Sequence, residues 1–143
     1  MKGGDAHERI QKLLVTGDNR LKQGVDPEKA RESWEQALEA ILGGDDRIKV
    51  VGHAGDGREA VRLAQDLKPD VVLMDIAMPV MDGFQATREI RKLIPGACVL
   101  MLTGSNSRSD VDRARKAGAA GYVTKDRIAA ELIEAIMEVV SRD

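Results

Sequence analysis

From residue 47 onward the chain alternates between two hydrophobic patterns. Short runs dominated by apolar residues, Ile48–Val51, Val71–Met74, Cys98–Leu102 and the pair Tyr122-Val123, recur along it. Val71–Met74 has no polar alternation, which fits a strand buried on both faces, as in a parallel sheet. Between these runs the apolar residues take helical spacing. Ala60, Val61, Leu63, Ala64 and Leu67 stop before Pro69, and Phe84, Ala86, Ile90, Leu93 and Ile94 stop at Pro95-Gly96. Val111, Ala114, Ala117 and Ala119 predict a helix ending near Gly118, and Ile128, Leu132, Ile133, Ile136 and Val140 share one face of a last helix. Regular strand–helix alternation predicts an α/β fold, a doubly wound parallel sheet of about five strands with helices on both faces and right-handed crossovers.

In such a sheet the residues that end successive strands gather at one edge, where ligands and chemistry collect. Asp75 ends the run Val71–Met74, Thr103 ends Cys98–Leu102, and Lys125 follows Gly121-Tyr122-Val123-Thr124. Singly, each has an ordinary structural reading: an aspartate after a strand is usually a turn or cap residue. Their conjunction on one edge is what points to function. The stretch Asp70–Gly83, Asp-Val-Val-Leu-Met-Asp-Ile-Ala-Met-Pro-Val-Met-Asp-Gly, closely resembles the phosphoacceptor strand and loop of two-component response-regulator receiver domains. The resemblance is specific over residues 47–140 and looser over 12–46. It implies a flavodoxin-like receiver fold and assigns roles. Asp75 accepts a phosphoryl group from a histidine kinase or phosphotransfer protein, Thr103 is the switch hydroxyl, Lys125 pairs with the phosphoryl oxygens, and Tyr122 matches the aromatic switch position. An exposed, firmly held carboxylate at Asp75 is expected, with Thr103 and Lys125 at exposed strand ends. Magnesium (Mg2+) is the implied cofactor, held by Asp75, the backbone carbonyl of Ala77 and an acidic pair after the first strand. That pair falls on Gly17 and Asp18, so Asp18 is retained and Gly17 departs from the pattern.

By the same resemblance the chain is not a conventional enzyme and at most catalyses its own aspartyl phosphorylation and dephosphorylation. Its output face would comprise Ser109–Gly118, Gly121–Thr124 and Ile128–Val140, offered to an effector domain, a partner protein or a second copy in a homodimer. Lys125-Asp126, in place of lysine-proline, is similar to receivers that precede a helix-turn-helix DNA-binding domain. The chain is then either a stand-alone receiver or one separated from such an effector. Gly17 supports an alternative, a pseudo-receiver that works as a phosphorylation-independent interaction module. A nucleotide or flavin enzyme on the same fold is disfavoured, because Gly55-Asp56-Gly57 is too short for a glycine-rich phosphate fingerprint.

The first 46 residues admit two readings. In one, Lys12–Thr16 is the first strand, residues 1–11 are an N-terminal extension, and residues 26–33 are an insert before the first helix. Asp26 then caps a helix begun at Pro27, with Trp34, Ala37, Leu38 and Ile41 on its buried face. In the other, residues 8–42 form a helical hairpin: Ile10, Leu13, Leu14, Gly17 and Leu21 fit one helical face. Gly17, Lys22-Gln23-Gly24, Ala30, Trp34 and Ala37-Leu38 resemble a tetratricopeptide repeat. The first reading is preferred because it supplies the missing strand and an acid at its end; the domain organisation is then a single receiver over 1–143.

Composition narrows the classes further. With 143 residues, 43% hydrophobic and 32% charged, the chain can build one core. A net charge of −2 argues against charge-driven nucleic-acid binding by the chain itself. No apolar run approaches the roughly 20 residues of a membrane span, and the N-terminus lacks the apolar core of a signal peptide, so a cytoplasmic location is expected. Cys98, the single cysteine, reads as a small buried hydrophobe, and no His/Cys cluster suggests zinc. Asp70, Asp82 and His53 read as structural or surface residues.

Overall fold

Every strand of the sheet runs parallel to its neighbours. In the computed structural model, which describes residues 11–16, 36–76, 80–103 and 108–141, the strands are β1 (Gln11–Thr16), β2 (Ile48–Ala54), β3 (Val71–Asp75), β4 (Val99–Thr103) and β5 (Gly121–Thr124). Their order is β2-β1-β3-β4-β5. The chain crosses outward from β1 to β2, then returns to the other side of β1 for β3, β4 and β5. The carboxyl ends of β1 and β3 therefore flank the point where winding reverses, the place where this architecture leaves a crevice.

The helices are α1 (Gln36–Gly43), α2 (Gly57–Leu67), α3 (Gly83–Leu93), α4 (Arg108–Ala117) and α5 (Ile128–Ser141), the last preceded by a 3-10 turn over Lys125–Arg127. Strand side chains alternate between two cores. Leu13, Val15, Val71, Leu73, Leu100 and Leu102 face Leu42 of α1 and Ile128, Leu132, Ile136 and Val139 of α5. Leu14, Val72, Met74, Val99 and Met101 face the opposite layer, where Ala60 and Ala64 of α2, Ala86 of α3, and Ala114 and Ala117 of α4 are buried. Alanine at those positions lets three helices lie close to the sheet.

The strand Gln11–Thr16 decides between the two N-terminal readings. β1 pairs with both β2 and β3, so it is an interior strand and residues 11–16 are not helical. The helical-hairpin reading of residues 8–42 is thereby overturned, and Gln11 belongs to the strand rather than to an extension. Its helical spacing came from too short a segment: Leu13, Leu14 and Val15 are buried on both faces of a central strand, which removes the period-two signal. The Asp26 cap, the insert over 26–33 and Trp34 lie outside the described residues. Elsewhere boundaries shift slightly. β2 runs on to Ala54, and Cys98 lies just before β4, part-buried with its sulfur 3.8 Å from the Val139 carbonyl oxygen.

Local chemistry explains the helix starts. Asp56 Oδ1 accepts from the Glu59 amide at 2.8 Å, while Glu59 Oε1 accepts from the Gly55 amide at 2.8 Å, a reciprocal cap on α2. Asp82 caps α3 by accepting from the Gln85 amide at 2.9 Å. Asp70 accepts from the Lys12 amide at 2.7 Å and pins the start of β3 to β1. Asp70 and Asp82 are thus structural, and His53 is exposed.

Candidate functional site

The carboxyl ends of β1, β3, β4 and β5 bring four polar side chains to one edge of the sheet. Thr16 is the last residue of β1, Asp75 of β3 and Thr103 of β4, and Lys125 follows the last residue of β5. The strand register aligns these ends: Asp75 pairs with Leu102, and Thr103 with Thr124. The parallel ladder is what converts residues 16, 75, 103 and 125, remote in sequence, into neighbours in space.

Lys125 Nζ lies 3.0 Å from Asp75 Oδ1. Asp75 is 1% exposed and Lys125 is 21% exposed, so this is a largely buried ion pair in which each charge compensates the other. Thr103 is fully buried. The expected exposure of Asp75 and Thr103 is therefore not what the fold produces, whereas Lys125 keeps part of its side chain in solvent. The strand ends lie beneath the surface, because β3 and β4 are flanked by strands on both sides and by helices on both faces. Asp18 and Ala77, expected to complete a magnesium site, fall outside the described residues. Among the described residues no group of three or more His, Cys, Asp or Glu side chains could hold a metal ion. The donors that are described, carboxylate and hydroxyl oxygens, suit a hard cation such as magnesium and not a thiophilic one.

Two residues of this edge carried no clear signal in the sequence. Thr16 Oγ1 donates to the Leu73 carbonyl oxygen at 3.1 Å and accepts from the Asp75 amide at 2.8 Å, in a position 1% exposed. Gly83 opens α3 with its amide donating to the Ile76 carbonyl oxygen at 2.9 Å. A Cβ there would press on the Asp75 carbonyl oxygen and come within 2.7 Å of the Ile76 Cα. The glycine therefore lets the α3 start lie directly against the backbone of Asp75. The threonine read only as the end of an apolar run and the glycine only as half of a turn; nothing local says what either touches across the sheet.

The two ends of the expected output face differ in character. Tyr122 on β5 is exposed, whereas Ile128, Leu132, Ile136 and Val139 of α5 are buried against the sheet. Among the described residues no helix is long and apolar enough to cross a membrane.

Comparison with known proteins agrees with this architecture. Residues 26–137 match the response regulator receiver domain family. The transcriptional regulatory protein PdtaR of Mycobacterium tuberculosis (strain CDC 1551 / Oshkosh) is 44% identical over 100 residues, covering 68% of this chain and 47% of PdtaR. The response regulator domain of Thermotoga maritima CheB superposes with a TM-score of 0.77 at 29% identity, covering 94% of this chain and 99% of that one. A two-component response regulator of the LuxR family from Aurantimonas sp. SI85-9A1 gives a TM-score of 0.74 at 31% identity, covering 93% of this chain and 86% of that one. The chain spans about half the length of PdtaR and of the other transcriptional regulators it matches. The doubly wound sheet, the strand-end cluster and the matched sequence together make this chain a member of the response regulator receiver domain family of two-component systems.

Proposed function

We propose that Asp75 is the phosphoacceptor of a receiver that switches a partner surface. The observation that carries this reading is the 3.0 Å pair between Asp75 and Lys125, with Thr103 ending the strand between them. A carboxylate oxygen of Asp75 attacks the phosphorus of the donor. A carboxyl O–P bond forms as the donor's bond to phosphorus breaks, and the donor leaves with that electron pair. Lys125 and Thr103 then supply a cation and a hydroxyl to the transferred group. Receiver domains generally bind Mg2+, and here Asp75, Asp18 and the Ala77 carbonyl would hold it, offsetting phosphoryl charge. The donor is a histidine kinase or phosphotransfer protein, and the output runs through α4, β5 and α5 to an effector domain, a partner or a second copy, in the cytoplasm.

The test is intact mass after incubation with acetyl phosphate and magnesium. The parent should gain one phosphoryl group and Asp75→Ala should gain none; equal uptake by both rules Asp75 out. One observation favours the second reading, a pseudo-receiver: β1 ends in Thr16, an uncharged residue bonded to the Asp75 amide, and the next residue in the sequence is Gly17 where the receiver pattern has an acid. Under the phosphoacceptor reading Gly17→Asp adds an anion near the cation and tightens magnesium binding in a calorimetric titration. Failure of both proteins to bind magnesium or take up phosphate would select the pseudo-receiver.

A further inference from the structure

We infer that Thr16 is a positioning residue for Asp75, setting how fast that carboxylate accepts a phosphoryl group; the inference rests on the phosphoacceptor reading above. The backbone pairing of β1 with β3 runs through Leu13–Val71, Leu14–Val72 and Val15–Leu73. The next link toward the site is made by a side chain. Thr16 Oγ1 accepts from the Asp75 amide at 2.8 Å and donates to the Leu73 carbonyl oxygen at 3.1 Å. One hydroxyl thus uses both its donor and its acceptor capacity to hold the two residues of β3 that flank Met74.

The consequence for Asp75 is geometric. Its carboxylate is held from the β5 side by Lys125 at 3.0 Å, and its backbone is held from the β1 side by Thr16. The Ile76 amide donates to the Leu102 carbonyl oxygen of β4 at 3.2 Å, and Gly83 closes over the Asp75 carbonyl. Of these restraints, the Thr16 hydroxyl is the one made by a side chain to the Asp75 amide itself. It is neutral, so it fixes the backbone without adding charge beside the carboxylate. In-line transfer needs the attacking oxygen aligned at about 3–3.5 Å from phosphorus, and misplacement by about 1 Å can cost about a hundredfold in rate.

The experiment compares the full chain with Thr16→Val and Thr16→Ser, well below each protein's melting temperature. Phosphorylation by acetyl phosphate is followed by intact mass, and the magnesium dependence of the rate is recorded. Valine keeps the shape and removes both hydrogen bonds, whereas serine keeps the hydroxyl. Thr16→Val should be slowed about tenfold per folded molecule with the magnesium dependence unchanged, and Thr16→Ser should return to near the parent rate. A purely structural role would lower the folded fraction and leave the rate of the folded molecules alone. Should Thr16→Val fail to fold, Thr16→Ala against Thr16→Ser makes the same comparison. A parent-like rate in the valine or alanine variant overturns the inference alone, as does a serine variant equally slow. A parent that takes up no phosphate at Asp75 overturns the phosphoacceptor reading, and the inference with it.

Discussion

Replacing Lys125 with methionine should destabilise the protein more than a surface lysine would. Methionine keeps most of the aliphatic stem and removes the ammonium, leaving Asp75 without its cation. Removing one partner of a fully buried ion pair costs about 3–5 kcal/mol, because the remaining charge is left uncompensated. Asp75 is 1% exposed but Lys125 is 21% exposed, so water already screens part of the pair and the expected loss is about 2–3 kcal/mol. At this chain length that is a fall of roughly 3 °C in Tm per kcal/mol. The assay is urea unfolding at neutral pH of four proteins: parent, Lys125→Met, Asp75→Asn and the double variant. Asparagine removes the buried charge, so the double variant should recover most of the loss and the cycle should show a coupling above about 1 kcal/mol. High salt should change that coupling little, since a buried pair is screened far less than a surface one. A Lys125→Met variant within about 0.5 kcal/mol of the parent, or a double variant no more stable than Lys125→Met, would show that the buried charge of Asp75 does not depend on Lys125.

Other expectations follow from the same geometry. Gly83→Ala places a methyl group against the Asp75 carbonyl and the Ile76 Cα, and should cost about 1–3 kcal/mol in urea unfolding, since the obstacle is backbone and cannot swing away. Val80 is 72% exposed and sits at φ 67, a left-handed backbone that a β-branched residue adopts at a cost. Val80→Gly should therefore raise stability by roughly 0.5–1 kcal/mol net of glycine's extra unfolded-state entropy, and a lower Tm would refute it. The Asp45 carboxyl is lowered from 3.8 to about 2, chiefly by the hydrogen bond from the Arg47 side chain and then by the Arg47 amide. Folding lowers this pKa, so its contribution is present above the ordinary carboxylate value and is lost as pH falls toward 2. Arg47→Met should weaken the acid dependence of Tm between roughly pH 5 and pH 2, and an unchanged acid limb would show that the exposed pair contributes nothing.

Much of this protein was readable residue by residue. Val71–Met74 had to be a buried strand, because no polar residue interrupts it and Asp75 stops it. The stops at Pro69, Pro95-Gly96 and Gly118 announced helix ends through backbone restriction, which needs no tertiary context. The alternation of strands and helices after residue 47 was enough to place Asp75, Thr103 and Lys125 on one edge. Three matters were decided only by the assembled fold. Residues 11–16 could have been strand or helix, since a short apolar stretch satisfies both periods; pairing with β2 on one side and β3 on the other selects the strand. The strand ends looked exposed in sequence, yet Asp75 and Thr103 are buried, because burial depends on which elements close over an edge and not on local polarity. Thr16 gave no sign of its partner, because a hydrogen bond to Asp75 spans 59 positions of chain and exists only once β1 lies beside β3. Local periodicity and capping are properties of neighbours in sequence. Register, burial and the contacts of a strand end are properties of neighbours in space, set by long-range pairing that no single segment encodes.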